Sequence, residues 1–238
     1  MKCEVEMFTS SRAGALRLFG LVVAAVVFAV FASAQDSKKL VYADFETMKD
    51  NRPVSSRGGF VQLTSYQERP TMQSVVKGMA GANPPAPELV KLKKDDPNHA
   101  AAFDFELKAP NDYAGVAIEI HGQPDQDGKP ANDDVSDYKF LTLQAYAKGV
   151  SELRIEFISH GYGIELSSGY PQTDIKVRPG FNTYRIPLKS LSQPSWAQPQ
   201  VSTKDVLKKL TAVSIAAYCE KCVPTEGTIV VDNLVFQN

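Results

Sequence analysis

Read along its extended, alternating stretches, the chain sorts a set of hydrogen-bonding and aromatic side chains onto one side. Glu119 and His121, then Thr142, Gln144 and Tyr146, then Arg154, Glu156 and Ile158, then Ser214, Ala216 and Tyr218 occupy successive outward positions. The sorting follows from the strand period of two, which sends neighbouring side chains to opposite faces. A plain solvated sheet face favours Lys, Thr and Ser, whereas this set holds two carboxylates, an Arg, a Gln, a His and two tyrosines. Planar Arg, Glu and Gln groups bond paired hydroxyls, and aromatic rings carry apolar C–H patches. That combination suits a neutral sugar. Turns beside these strands, His160-Gly161-Tyr162-Gly163 and Gly169-Tyr170-Pro171, add tyrosines expected to be exposed, and Trp196 stands in a loop between Pro194 and Pro199. The Trp suits either a plug for the end of the core or a stacking platform. The candidate ligand-binding set is Gln144, Tyr146, Arg154, Glu156, His160, Tyr162, Tyr170 and Trp196. The competing account of the strand residues is a polar outer face with Arg154 and Glu156 as a surface ion pair of little energetic weight.

A second constellation sits at the two ends of the chain. Asp44 and Glu46 close the first extended stretch, and Asp232 lies in the last. If those strands are neighbours, the three carboxylates can gather with backbone carbonyls as hard oxygen ligands, a donor set suited to a structural calcium ion. The same residues can equally serve as strand-end polar groups making turn bonds. Glu119 and Glu156 share a face, and two carboxylates about 5 to 9 Å apart can hydrolyse glycosides. A shared face is weak support, and no Ser/His/Asp arrangement, phosphate-cradling Gly loop or His-rich metal motif accompanies it. The chain therefore reads as non-catalytic. Cys219 and Cys222 are the cysteines that remain beyond the first 34 residues, and their spacing reads as a small loop disulfide. A redox pair would want a helix N-terminus, but this pair follows a β pattern and precedes Pro224.

The elements that must position these groups are short strands. Val-, Ile-, Phe-, Tyr- and Thr-rich alternation predicts strands over Leu40–Phe45, Gly59–Tyr66, Gln73–Lys77, Ala100–Leu107, Tyr113–His121, Lys139–Ala147, Glu152–Ser159, Asp174–Val177, Asn182–Leu188, Ala212–Tyr218 and Thr228–Phe236. One short helix is expected at Lys204–Leu210, capped by Ser202 or Thr203. Many strands with almost no helix mean an all-β sandwich or barrel. Its core is expected from Val116, Ile118 and Ile120, from Leu141, Leu143 and Ala145, from Leu153, Ile155 and Phe157, and from Val213, Ile215 and Ala217.

The chain of 238 residues carries a formal net charge of −1, which excludes the basic surplus that binding to nucleic acid requires. Hydrophobicity is concentrated early. Leu18 to Ala32 is an apolar or small-residue run preceded by Arg12 and Arg17 and closed by Ala32-Ser33-Ala34, the pattern of a signal peptide over 1–34. The run falls short of the roughly 20 residues a spanning helix needs. The expected mature chain is one β-sandwich domain over 35–238, secreted or periplasmic, with no membrane span and with 23 basic and 25 acidic residues.

Several stretches also carry a likeness. Val41-Tyr42-Ala43-Asp44-Phe45-Glu46, Tyr113-Ala114-Gly115-Val116, Asp137-Tyr138-Lys139-Phe140-Leu141 and Phe181-Asn182-Thr183-Tyr184-Arg185-Ile186-Pro187-Leu188 come first in chain order. They are followed by Leu191-Ser192-Gln193-Pro194-Ser195-Trp196 and Thr228-Ile229-Val230-Val231-Asp232-Asn233-Leu234-Val235-Phe236. With these the chain resembles galactose-binding-like β-sandwiches, particularly the family 11 carbohydrate-binding modules and the complex I intermediate-associated protein 30 domain. The resemblance implies a jelly-roll sandwich with a concave face for an extended glycan and a structural calcium mapping onto Asp44, Glu46 and Asp232. It places the cleft tyrosines and Arg at Tyr146, Arg154, Tyr162 and Tyr170. The partner it implies is a carbohydrate, or, for the intermediate-associated kind, an envelope protein.

Overall fold

The computed structural model describes residues 38–67, 75–77, 88–91, 95, 97–121, 132–164, 166–218, 221 and 224–238. The expected signal segment 1–34 and the Cys219/Cys222 pair lie outside the described residues. The strands are β1 (Lys39–Ala43), β2 (Met48–Lys49), β3 (Arg52–Pro53), β4 (Phe60–Gln67), β5 (Val75–Lys77), β6 (Glu88–Lys91) and β7 (His99–Leu107). There follow β8 (Tyr113–His121), β9 (Phe140–Lys148), β10 (Glu152–Ile158), β11 (Gln172–Lys176), β12 (Asn182–Pro187), β13 (Ala212–Tyr218) and β14 (Thr225–Gln237). Beyond a 3-10 turn at Leu188–Ser190, one helix, α1 (Thr203–Lys208), is described, with the Ser202 side chain accepting from the Asp205 backbone N–H.

These strands pack as a jelly-roll sandwich of two antiparallel sheets. One sheet runs β12-β9-β14-β7-β5, with β1 also on β14 and β6 also on β7; the other runs β11-β10-β13-β8-β4. The four outward-facing sets read from the sequence therefore part company, because β9 belongs to the first sheet and β8, β10 and β13 to the second. The inward sets meet as expected: Val116, Ile118, Ile120, Leu141, Leu143, Ala145, Leu153, Ile155, Phe157, Val213, Ile215 and Ala217 are all fully buried.

The first and last strands pair antiparallel, β1 on β14, with Leu40 opposite Phe236 and Val41 opposite Val235. Strand β14 is long enough to take β7 along its first half and β1 along its second. Between Asp232 and Val235 its register shifts, with Asn233 at φ 52°. The extra residue flips the phase of alternation. Ile229 and Val231 point inward before it, and Leu234 and Phe236 point inward after it. This bulge also turns the Asp232 side chain to full burial. Among the described residues no helix is long and apolar enough to cross a membrane.

Candidate functional site: the outer face of the five-stranded sheet

The register of β11-β10-β13-β8-β4 lays the outward side chains out in rows. One row runs Gln172, Glu156, Ser214, Ala117, Thr64; the next runs Asp174, Arg154, Ala216, Gly115, Tyr66; Tyr218 and Tyr113 stand opposite each other beyond it. The central positions are small and the flanking ones large. Gly115 admits no side chain, since a Cβ there would lie 2.5 Å from the Ile215 carbonyl oxygen and 2.8 Å from the Ala216 Cα.

Large side chains from the strands on either side reach over that small floor. From β4, Tyr66 extends across β8 until its hydroxyl bonds Ser214 Oγ on β13, and its ring tilts against Tyr113 with centroids 5.7 Å apart. From β10, Arg154 lies flat on Tyr218, its guanidinium carbon 3.7 Å from the ring centroid. Asp174 on β11 fixes it there through Nε to Oδ1 at 3.0 Å and a terminal nitrogen to Oδ2 at 3.4 Å. A fork bonded at two points is far more constrained than a surface ion pair. Tyr218 is held in turn, its hydroxyl donating to Asn111 Oδ1 at 3.0 Å. The expected Arg154–Glu156 surface pair is thus replaced: Arg154 pairs with Asp174, and Glu156 accepts at 2.8 Å from the backbone N–H of Tyr170.

The electrostatics follow from this packing. Burial pushes the Glu156 carboxyl up to about 7, with the Tyr170 N–H and the nearby Arg154 charge pulling it back part of the way. Burial likewise raises the Tyr66 hydroxyl, which stays a neutral donor and acceptor. On the same face Glu119 accepts from or bonds to the His121 ring at 3.0 Å.

The sequence-read set is distributed differently from the single face expected. Arg154 and Glu156 sit on the five-stranded face. Gln144 and Tyr146 lie on the outside of the other sheet, where Gln144 Oε1 accepts from Asn233 at 3.3 Å. Tyr170 is a core residue, 2% exposed, its hydroxyl donating to the Ser159 carbonyl at 3.0 Å. A buried tyrosine stays buried where its hydroxyl finds such a partner, which the Gly-Tyr-Pro turn did not reveal. His160 is exposed and its Nδ1 lies 3.1 Å from that hydroxyl, so it serves the same corner. Tyr162 is half-buried in the β10–β11 loop, its carbonyl taken by Lys209 Nζ at 2.9 Å near the end of α1. Trp196 is 65% exposed, so it does not plug the end of the core. Tyr66, Tyr113 and Asp174 are additions; the first two were visible only as outward residues of their own strands, and Asp174 only by its register opposite Arg154.

At the β1–β14 end, the residues expected to hold calcium are near one another. Asp44 and Glu46 both repel charge on Asp232, whose carboxyl is pushed up to about 6, chiefly by burial. Each nevertheless has protein partners: Asp44 accepts from Thr47 and the Glu46 N–H, Glu46 from the His99 N–H, and Asp232 from Asn98 and Asn233. Among the described residues no three His, Cys, Asp or Glu side chains form a metal-holding group. The donor chemistry fits a hard cation, and the three carboxylates as placed serve the chain's own N–H groups.

The fold is a jelly-roll β-sandwich of two antiparallel sheets. It is similar to the family 11 module of a cellulosomal cellulase of Clostridium thermocellum, with 14% identity, a TM-score of 0.52, and coverage of 86% of this chain and 95% of that one. A family 11 module from the same organism in complex with a β-1,3-1,4-mixed-linked tetrasaccharide matches with 14% identity and a TM-score of 0.53, over 83% of this chain and 94% of that one. No family model matches the sequence, and no curated protein matches it.

Proposed function

We propose that this chain is a non-catalytic, exported carbohydrate-binding module that takes a neutral glycan on the outer face of its five-stranded sheet. The observation that carries the reading is the small floor of Gly115, Ala117, Ser214 and Ala216 beneath fixed Tyr66, Tyr113, Tyr218 and Arg154. Fixed rings and planar hydrogen-bonding groups lose little freedom on binding, the condition under which weak hydroxyl and C–H contacts add up to affinity. The mixed-linked tetrasaccharide held by one structural neighbour supports a β-glucan as the first ligand to try. The test is a glycan array probed with the chain: retention on β-glucans or cell-wall oligosaccharides supports the reading, and silence across the array removes it. Retention of an envelope protein instead would transfer the face to protein assembly.

Hydrolysis is not supported by the placement of the two carboxylates. Glu156 and Glu119 stand on β10 and β8 with β13 between them, and Ser214 and Ala212 mark a two-residue offset. Their backbones are roughly 12 Å apart at strand spacing and rise, and each carboxylate is engaged by the protein, Glu156 by the Tyr170 N–H and Glu119 by the His121 ring. For the terminal carboxylates we propose a calcium ion held by Asp44, Glu46 and Asp232, which would relieve their mutual repulsion. Added Ca²⁺ then raises the melting temperature of the chelator-treated protein and leaves Asp232→Asn unmoved; no shift in either removes the ion.

A further inference from the structure

Trp196 lies outside the five strands, yet the structure ties it to them. The loop that carries it leaves the 3-10 turn and pairs with β11: Gln172 N–H donates to the Ser192 carbonyl at 3.0 Å, and Ser192 N–H to the Gln172 carbonyl at 3.2 Å. Ser192 therefore adds a sixth position to the row Gln172, Glu156, Ser214, Ala117, Thr64. Gly169 makes the second connection. Its neighbour Tyr170 donates its N–H to Glu156, and the Trp196 ring packs against Gly169 so closely that a Cβ would come within 2.9 Å of Trp196 Cη2 and 2.5 Å of the Ala197 Cβ. At φ +74°, the position also favours glycine.

The loop is fastened on the other side as well. Gln193 accepts from the Val201 N–H at 2.7 Å and donates to the Pro199 carbonyl at 3.0 Å, while Gln200 donates to the Ala197 and Pro194 carbonyls at 2.7 and 3.2 Å. Ala197 beside it is 2% exposed, so the loop is anchored while the indole is 65% exposed. An aromatic side chain held this firmly in water is a stacking surface available at low entropic cost.

We propose that Trp196 is a further binding residue, a stacking platform beyond β11 that extends the glycan site past Glu156 and so selects a chain of linked sugars with flat apolar faces over a single residue. This rests on the reading of the five-stranded face as a glycan site, and the experiment separates the two. Trp196 is the protein's sole tryptophan, so its emission reports on this position alone. The full chain is titrated with soluble β-1,3-1,4-glucan and with its tetrasaccharide, by calorimetry and by tryptophan fluorescence in parallel. The expected result is a blue-shifted emission that saturates with the calorimetric isotherm, and roughly three- to tenfold weaker binding in Trp196→Ala, partly restored in Trp196→Phe. Gly169→Ala, which displaces the ring without deleting it, weakens binding in the same direction. Calorimetric binding with unchanged emission and an unaffected Trp196→Ala protein overturns the platform and leaves the glycan face standing. Absence of heat with either ligand overturns the proposal for these glucans together with the site.

Discussion

The two outer faces of this sandwich carry similar residue types and use them differently. On the seven-stranded sheet, Thr142, Gln144, Tyr146 and Arg185 stand outward, and Arg185 even stacks on Phe140 at 3.5 Å from the ring centroid. That Arg is exposed, and among the described residues no carboxylate pins it. On the five-stranded sheet the equivalent pair, Arg154 on Tyr218, is only 21% exposed at the Arg side chain and is locked by Asp174. The difference comes from the floor. Gly115, Ala117, Ser214 and Ala216 leave room for Tyr66 to reach Ser214 across β8, whereas the longer outward residues of β9 and β14 bond their direct neighbours, Gln144 with Asn233 and Thr142 with Gln237. Composition makes a face polar; small central residues let a large side chain such as Tyr66 be fixed across it.

The comparison breaks most readily at the floor. Gly115→Ala drives a methyl against the β13 backbone and is expected to cost about 2–3 kcal/mol or more of stability, read as a lower denaturation midpoint, while Thr142→Ala on the other face stays within about 0.5 kcal/mol. If both variants unfold alike, the floor is not what distinguishes the faces.

Charge gives the next effect. The Glu156 carboxyl titrates at about 7 in the folded protein against an ordinary 4.5. The folded state therefore keeps a proton that the unfolded chain has lost, and stability falls as pH rises from about 4.5 to about 7. Glu156→Gln keeps a neutral group at every pH. It is expected to match the wild type near pH 4.5 and to exceed it at pH 8 by about 1–3 kcal/mol, as melting curves at the two pH values would show. A constant difference across that range would mean that Glu156 is not held protonated by burial.

The smallest expected effect separates the two arginines. Arg154→Lys loses both the Asp174 fork and the flat stack on Tyr218, for roughly a three- to fivefold loss of glycan affinity, about 1 kcal/mol. Arg185→Lys leaves affinity unchanged. Equal effects from both would place the ligand elsewhere.

Much of this was legible in the residues. Alternation separated Val116, Leu141, Ile155 and Ile215 from their outward neighbours, and all four are core. A period of two, however, says in or out and not which of two sheets, so Gln144 and Tyr146 were grouped with Arg154 although β9 pairs with β14 and β12. Tyr170 failed for another reason: its burial depends on the Ser159 carbonyl meeting its hydroxyl, a contact across a loop that no local pattern encodes. Asp174 was missed because its partner is set by strand register. Trp196 was legible as held in a rigid loop, as plug or platform, and its 65% exposure speaks against the plug.

The claim that one face binds a neutral glycan is tested most directly by isothermal titration of soluble β-1,3-1,4-glucan into the wild type, Tyr146→Ala and the double variant Tyr66→Ala/Tyr218→Ala. The account predicts saturable binding by the wild type, the same affinity within about twofold for Tyr146→Ala, and at least a roughly hundredfold loss in the double variant. Binding that survives in the double variant and disappears in Tyr146→Ala would contradict it.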